Sequence, residues 1–442
     1  MMLVGNGYLI TRNANQQFFD NGCVAIQDGV ILEFGTTEAL RLKYADSQFI
    51  DAQGSVIMPG LINTHMHLYS SFARGMALKD ASPGNFVEIL ERLWWRLDRN
   101  LRQEDVIYSA LVALIECVKN GTTTIFDHHA SPECSVDSLF WLADAVKQVG
   151  LRASLSYEVS DRNGAESIDQ GIAANLRFVQ HCQKQKDPMI RGMFGLHASF
   201  TLGDATLKKI LDNPEIYQAG IHVHVAEDRA DVEDCLKRYG LRVVERLHQM
   251  GMLGANTLAV HCVHINENEI ELLLESGTPV IHNPESNMGN AVGCAPVLKM
   301  MAKKVAVGLG TDGYTCDMFE SLKVANLLHK FQSQNPSAAW QEPHTMLFQN
   351  NSAIASQFFG RKMGEISVGA CADLIIVDYT PPTTMNAANV NGHVLFGMSG
   401  RSVVTTIVNG KILMLDRKLT GLDEKEICAR ARELADQLWL RF

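Results

Sequence analysis

The sequence predicts an α/β fold: a (β/α)8 TIM-like barrel with a small β-sandwich domain built from both chain ends. Eight apolar, strand-like segments alternate with helical patterns, and several of them end in a histidine or an aspartate. In such barrels the functional residues lie at the carboxyl ends of the strands. The predicted barrel strands are Val56–Ile62, Thr122–Asp127, Arg152–Val159, Ile190–His197, Gly220–Ala226, Thr257–Cys262, Thr278–Asn283 and Val305–Thr311.

The two chain ends share a different texture, in which short strand-like runs enclose turn dipeptides. Asp28-Gly29 and Asn409-Gly410 each separate two such runs, and both dipeptides suit the positive φ angles of two-residue hairpin turns. Neither end offers enough strands to be stable alone, so we expect them to pack together. The predicted division is residues 1–57 and 361–420 for the β-sandwich, 58–360 for the barrel, and 421–442 for a C-terminal helix.

Length, charge and cysteine use bound the class of protein. The 442 residues exceed the ~250–300 at which a single core stops growing, which favours a large domain plus a smaller one. The net charge of −10 comes without a basic stripe, so we expect no nucleic-acid partner. The ten scattered cysteines form no Cys-x-x-Cys pair, which indicates a reduced, cytoplasmic compartment. No run approaches the ~18–20 apolar residues that cross a bilayer, so we expect no membrane partner. The N-terminus lacks a basic region and its short apolar stretch is interrupted at residues 5–7, so we expect no signal peptide.

After the first barrel strand, the sequence predicts a helix with an aromatic face. Asn85 and Glu88 resemble a capping box, and apolar residues then recur at helical spacing through Trp94. Aromatic residues in this pattern most often belong to a core. The alternative is that Trp94 stacks on a planar ligand ring, which makes it a candidate substrate contact.

Four residues at strand ends form a candidate metal site. His65 and His67 end the first apolar run, and side chains two apart on a strand point to the same face, so both imidazoles can reach one ion. His224 and Asp312 end two further apolar runs. Three neutral nitrogens and one carboxylate suit one divalent ion per chain, Zn²⁺ or alternatively Fe²⁺, with a position left for water. Such an ion lowers the pKa of water to ~7, and Asp312 can accept the proton.

Two further strand-end residues are candidates for proton handling. Glu227 lies shortly beyond His224 and can protonate a ring nitrogen and pass protons to a departing amine. The alternative for Glu227 is a solvated acidic residue at a helix start, a setting that Asp228 and Asp231 also suit. His261 ends the sixth apolar run, where we expect it to orient the attacking water and stabilise charge at the attacked centre.

A polar loop after the seventh strand offers weaker candidates. It contains His282, Asn283, Ser286 and Asn287. We expect His282 and Asn283 to contact the substrate, although turn chemistry alone also accounts for such a loop. His128 and His129 follow the second strand and are equally consistent with the site lining and with the surface.

Two competing motifs are disfavoured. Gly308-x-Gly310-x-x-Gly313 formally matches a dinucleotide fingerprint, but it comes at the eighth strand, and Asp312 would repel a pyrophosphate there. A nicotinamide-dependent oxidoreductase is therefore not expected. A serine hydrolase is disfavoured because no Gly-x-Ser-x-Gly is present.

Together these segments resemble the amidohydrolase superfamily, and within it the branch of mononuclear-metal deaminases and chlorohydrolases. The segments that carry the resemblance are Pro59-Gly60-Leu61-Ile62-Asn63-Thr64-His65-Met66-His67, His222-Val223-His224-Val225-Ala226-Glu227, His261-Cys262-Val263-His264, His282-Asn283-Pro284 and Gly310-Thr311-Asp312-Gly313. The segment 86–98 is similar to aminohydrolases linked to selenium metabolism.

The resemblance implies site residues and an activity. It implies His65, His67, His224 and Asp312 as metal ligands, Glu227 and His261 as catalytic residues, His197 as a substrate contact, and a homodimer. The stretch 190–200 lacks the bridging lysine of dinuclear relatives, and Glu227 is an acid that chlorohydrolases commonly lack. We therefore expect hydrolytic deamination of a purine-like heterocycle, a small molecule, with release of ammonia. The alternatives are hydrolysis of a cyclic amide or another leaving group, or a non-catalytic metal-binding scaffold.

Overall fold

Two sheets organise the chain, and the computed structural model describes residues 1–442. The larger sheet contains eight parallel strands in sequence order, with one short extra strand, Ile190–Gly192, beside the third. Helices connect the strands, which confirms the predicted (β/α)8 barrel. The barrel strands are Leu61–Met66, Thr122–His129, Arg152–Val159, Phe194–Ala198, Ile221–Val225, Thr257–His261, Val280–His282 and Val307–Leu309.

The barrel closes between its first and eighth strands. The backbone N–H of Asp312 donates to the carbonyl of His65 at 3.0 Å. The buried side chain of Asn351 completes this seam, because its amide nitrogen donates to the carbonyls of Ile62 and Leu309, both at 2.8 Å. One side chain therefore supplies hydrogen bonds where the backbone ladder between the two strands is short.

Helices surround the barrel, and the predicted cap at Asn85 is confirmed because its side chain accepts from the N–H of Glu88 at 3.0 Å. The helix that follows contains one π-helical turn, Leu90–Trp94, and such turns are frequent near functional sites. A second lies at Thr345–Asn350. The α-helices are Thr37–Lys43, Phe86–Ile89, Trp95–Asn100, Gln103–Lys119, Ser135–Val149, Ala165–Gln185, Asp204–Leu211, Glu215–Ala219, Arg229–Tyr239, Val243–Gln249, Glu267–Ser276, Pro284–Gly289, Val297–Ala302, Met318–Ser333, Glu342–His344, Asn351–Phe359, Val390–Gly397 and Glu424–Arg441.

The second sheet is built from both chain ends, as predicted. Asp28-Gly29 and Asn409-Gly410 have positive φ angles, which confirms the two hairpin turns. Gly29 lies directly against Asn409, so the continuous sheet curls back around a core to which both chain ends contribute. The strands of this sheet are Met2–Ile10, Phe18–Gln27, Val30–Thr36, Gln48–Asp51, Val56–Pro59, Leu374–Val377, Val403–Val408, Lys411–Leu415 and Lys418–Leu419.

The structure corrects the first predicted barrel strand. The run Val56–Ile62 is predicted as one strand, but Val56–Pro59 pairs within the terminal sheet and the barrel strand begins at Leu61. The chain crosses between the sheets at Gly60, where a Cβ would come within 2.2 Å of Thr123. The apolar pattern does not reveal this change of partner because both halves of the run are buried.

The C-terminal helix Glu424–Arg441 packs on the helix Gln103–Lys119, where Arg441 pairs with Asp105. None of the helices is both long and apolar enough to cross a membrane. The domain boundaries after residues 57, 360 and 420 stay a prediction.

Candidate active site

The carboxyl ends of three barrel strands bring the predicted metal-binding residues together, and a fourth adds His261. His67 Nε2 lies 3.0 Å, and His65 Nε2 3.5 Å, from Oδ1 of Asp312. One ring nitrogen from each of His65, His67 and His224 lies within 4.8 Å of the other two. Nε2 of His261 is 3.8 Å from Oδ2 of Asp312. Residues far apart in sequence therefore form one cluster.

The second nitrogen of each predicted histidine ligand is held by a hydrogen bond. His67 Nδ1 donates to the carbonyl of His128 at 2.5 Å, and His224 Nδ1 donates to the carbonyl of His197 at 2.9 Å. His65 Nδ1 contacts another buried imidazole at 2.8 Å. When His67 and His224 donate through Nδ1 in this way, the neutral form of each ring presents the lone pair of Nε2 to the cluster, which is the form that binds a metal.

The cluster fits one metal ion. Nε2 of His65 is buried and has no hydrogen-bond partner, which is costly unless a ligand engages it. Burial lowers the pKa of His65 to about 4, so this imidazole is neutral. At His67, burial opposes the charged form, but the contact with Asp312 outweighs it and raises the pKa to about 9. The carboxylate thus stabilises positive charge at this point, and three nitrogens with one carboxylate form a mononuclear metal site.

Left-handed backbone occurs at strand ends that bear the cluster. The φ angles of His261 and Asp312 are 71° and 56°, and that of Ala226 is 46°. This left-handed region is disfavoured for residues with a Cβ, and such strain often accompanies functional sites. Gly310 lets the eighth strand approach the first, because a Cβ there would lie 2.8 Å from the carbonyl oxygen of His65.

Glu227 faces the cluster without belonging to the predicted ligand set. Its Oε2 lies 3.4 Å from Nε2 of His261, and its Oε1 has no hydrogen-bond partner. Burial, and then the nearby Asp312, raise the pKa of Glu227 well above its usual value. A carboxyl group with such a raised pKa can hold a proton near neutral pH and act as a general acid.

The short helix Pro284–Gly289, after the seventh strand, supports two residues of the cluster. Ser286 Oγ donates to Oδ2 of Asp312, and Asn287 Nδ2 donates to Nδ1 of His261 at 2.8 Å. The second contact leaves the ring proton of His261 on Nε2, which faces the carboxylates. His261 is therefore placed to donate a hydrogen bond into the space between them.

A cavity opens onto the cluster. Trp94 and His197, both predicted substrate contacts, line the cavity together with Trp95 and Phe200. Aromatic walls of this kind suit a planar ring.

The remaining candidates do not line the cavity. His282 is buried behind the wall, with Nε2 3.1 Å from Nε2 of His329, and Asn283 is also buried. His128 and His129 are buried and hydrogen-bonded within the barrel. The parts of His282 and Asn283 in substrate binding stay predictions.

The structure adds polar residues that the sequence did not single out. Asp98 and Glu158 line the cavity, and both contact the buried Arg162. His222 contacts the ring of His65, and Asn290 lines the cavity. His222 could have been found, because it lies two residues before His224 on one strand and shares its face. Single acidic residues on a helix or strand give no comparable signal.

A parallel barrel with a mononuclear metal site at its strand ends has the architecture of a metal-dependent hydrolase. The amidohydrolase family matches residues 56–413, so the chain belongs to the amidohydrolase family, as its motifs predict. It is 36% identical over 444 residues to a 5'-deoxyadenosine deaminase of Methanosarcina mazei, covering 100% of this chain and 99% of the relative. It is 34% identical over 442 residues to a 5-methylthioadenosine/S-adenosylhomocysteine deaminase of Syntrophomonas wolfei, covering 99% of each.

Solved structures agree with this assignment of the fold. An adenosine deaminase from Xanthomonas campestris with bound zinc has a TM-score of 0.88 and 25% identity, covering 99% of this chain and 98% of that chain. An atrazine chlorohydrolase from Arthrobacter aurescens complexed with zinc has a TM-score of 0.83 and 20% identity, covering 98% of this chain and 100% of that chain. At 20% identity, the likeness to the chlorohydrolase concerns the fold alone.

Proposed function

We propose that this protein is a metal-dependent hydrolytic deaminase that acts on an aminated, purine-like heterocycle and releases ammonia. The named relatives bear out the deaminase predicted from the motifs. The observation that carries the proposal is the position of Glu227. Its carboxyl group lies 3.4 Å from His261 and lines the same cavity as the metal cluster. A scaffold that only retained a metal would have no use for this pair.

We infer that the resident ion is zinc rather than iron, held by His65, His67, His224 and Asp312. The nitrogen and oxygen donors suit zinc, and the zinc named for the adenosine deaminase structure supports this choice. When bound, the ion supplies Lewis-acid charge and lowers the pKa of water to ~7. Elemental analysis should find about one zinc per chain, since one ligand set defines one site. Two tightly held ions would contradict this assignment.

The reaction exchanges an exocyclic amino group for oxygen. A C–O bond forms from water, the C–N bond breaks, and the two water protons end on the adjacent ring nitrogen and on ammonia. Asp312 accepts a proton from the water, and His261 donates a hydrogen bond from Nε2 to the charge that develops at the attacked carbon. Glu227 gives its proton to the ring nitrogen, takes up the remaining proton of the attacking oxygen and passes it to the leaving amine. The proton held by Asp312 then returns Glu227 to its protonated form.

We infer an adenine nucleoside as the substrate class. The deaminases of 5'-deoxyadenosine and of 5-methylthioadenosine/S-adenosylhomocysteine cover nearly the whole chain. Trp94 and Trp95 line the cavity and offer aromatic surface for a planar base.

Ammonia release from the zinc-loaded protein tests this proposal. The panel contains adenine nucleosides, other aminated purines and pyrimidines, triazines, and cyclic amides that have no amino group to lose. Ring opening of the cyclic amides, which releases no ammonia, is followed by mass spectrometry. We expect turnover of at least one adenine nucleoside. Hydrolysis of cyclic amides alone would favour the alternative reaction, and the absence of any turnover would contradict the proposed enzyme.

We also infer a homodimer in the cytoplasm. The dimer rests on the family resemblance, and the reduced compartment is supported by ten free cysteines. Light scattering of the purified protein should give twice the mass of one chain, and a monomer would contradict the first inference.

A further inference from the structure

The charged side chains that line the catalytic cavity are predominantly acidic. Its lining contains six carboxyl groups, and neither a lysine nor an arginine is among the lining residues. The acidic lining residues are Asp98, Glu158, Glu227, Asp228, Asp231 and Asp312. Asp312 is accounted for by the metal and Glu227 by the chemistry, so the others determine what the rest of a substrate meets.

Asp98 and Glu158 form one wall of the cavity, and both are held in place by Arg162. Arg162 Nη1 lies 3.2 Å from Asp98 Oδ1, and Arg162 Nη2 lies 3.1 Å from Glu158 Oε1. The guanidinium is buried beside the ring of Trp95, which holds it in place. Burial raises the pKa of Asp98 to about 6 despite this arginine, so the carboxylate is ionised at pH 7.5.

Arg162 is fully engaged by the carboxyl groups of Asp98 and Glu158. Each of its two terminal nitrogens already contacts a carboxylate, and it does not line the cavity. Arg162 is therefore not free to pair with a substrate anion, whereas the carboxyl groups of Asp98 and Glu158 line the cavity and their oxygens can accept further hydrogen bonds.

We propose that this cavity selects substrates whose portion beyond the reacting ring is uncharged or cationic and rich in hydrogen-bond donors, and that it discriminates against a carboxylate. This inference rests on the proposed function and narrows its substrate class. Hydroxyl and ammonium groups find acceptors at Asp98 and Glu158. A carboxylate would be desolvated next to like charges with no lysine or arginine in the lining to pair with, which disfavours its binding.

A matched set of ligands tests the selection on the zinc-loaded wild-type protein. Three adenine compounds are compared by kcat/KM for ammonia release: 5'-deoxyadenosine, S-adenosylhomocysteine, and its decarboxylated amine analogue. The last two differ only in the carboxylate. We expect the amine analogue to exceed S-adenosylhomocysteine by at least ~10-fold and to equal or exceed 5'-deoxyadenosine. Equal or better turnover of the carboxylate compound would overturn the inference.

Binding of the three corresponding hypoxanthine products, measured by calorimetry, separates this inference from the proposed function. If the products bind with the expected preference but no adenine compound releases ammonia, the deaminase proposal fails while the charge selection stands. If ammonia is released and neither measurement shows a preference, the charge selection fails alone. If none of the products binds and no ammonia is released, both fail.

Asp98→Asn locates the effect in the wall. It removes one negative charge there, so the ratio between the amine analogue and S-adenosylhomocysteine should shrink several-fold. Asp137→Asn is the matched control, because Asp137 is exposed on the barrel exterior and the exchange changes the net charge equally. An unchanged ratio in Asp98→Asn, or an equal change in Asp137→Asn, would contradict the assignment to this wall.

Discussion

At the scale of single residues, a substitution of Glu227 tests catalysis separately from metal binding. Because its carboxyl group is not in the ligand set, Glu227→Gln should retain the metal and bind product-like ligands. We expect kcat to fall by ~10²–10⁴, the usual contribution of general acid–base catalysis. Metal content, ligand binding and kcat should be measured on one preparation.

Glu233→Gln provides the matched control for Glu227→Gln. Glu233 lies on the adjacent helix Arg229–Tyr239 and is exposed, so the same exchange there should leave kcat unchanged. Full metal content with near-normal turnover in Glu227→Gln would contradict the proposed mechanism. It would favour the alternative of an acidic residue that only stabilises a helix start.

Asn287 positions His261 through one hydrogen bond. Asn287→Ala removes the donor to Nδ1, so the ring proton is free to move to that nitrogen and Nε2 no longer reliably donates. We expect kcat to fall by roughly 10–10²-fold, the usual effect of losing such a supporting bond, with little change in KM. Steady-state kinetics check this split.

The exposed Asn335 serves as the control for this substitution, and Asn335→Ala should change neither constant. If Asn287 has only a structural role, Asn287→Ala should lower the melting temperature while kcat of the folded fraction stays normal.

At the scale of elements, the barrel seam depends on Asn351. Its amide nitrogen bridges Ile62 and Leu309, and its Oδ1 accepts from the N–H of Leu309 at 2.8 Å. Asn351→Ala leaves these buried groups unsatisfied, so we expect the free energy of unfolding to fall by at least about 2 kcal/mol. Denaturant titration measures the change. Gln357→Ala, an exposed position on the same helix, should stay within about 0.5 kcal/mol of the wild type.

At the scale of the whole molecule, the metal links strands that are far apart in sequence. A ligand present at about 100 times its Kd stabilises the folded state by about 2.7 kcal/mol. Chelation should therefore lower the apparent melting temperature, by roughly 3 °C for this stabilisation. Differential scanning measurements with and without chelator check this. In His65→Ala, which lacks one ligand, chelation should have almost no effect, and an equal shift there would place the metal elsewhere.

The terminal sheet shows which features a local sequence pattern predicts and which depend on tertiary contacts. The hairpins at Asp28-Gly29 and Asn409-Gly410 were predictable because each needs only two residues with positive φ. Their packing against each other followed from the small number of strands at each end. The crossing at Gly60 was not predictable, because a continuous apolar run looks the same whether it pairs with one sheet or two.

The sequence by itself determined the barrel, the family and the metal cluster, because strand periodicity and strand-end position place residues such as His65 and Asp312 at one face of a parallel sheet. Only the tertiary structure decided how the cluster is supported and what the cavity accepts. Asn351, Asp98 and Arg162 act through partners far away in the chain, and no local pattern encodes such pairs. Their chemistry depends on which surfaces meet when the helices pack on the barrel, which is a property of the folded chain.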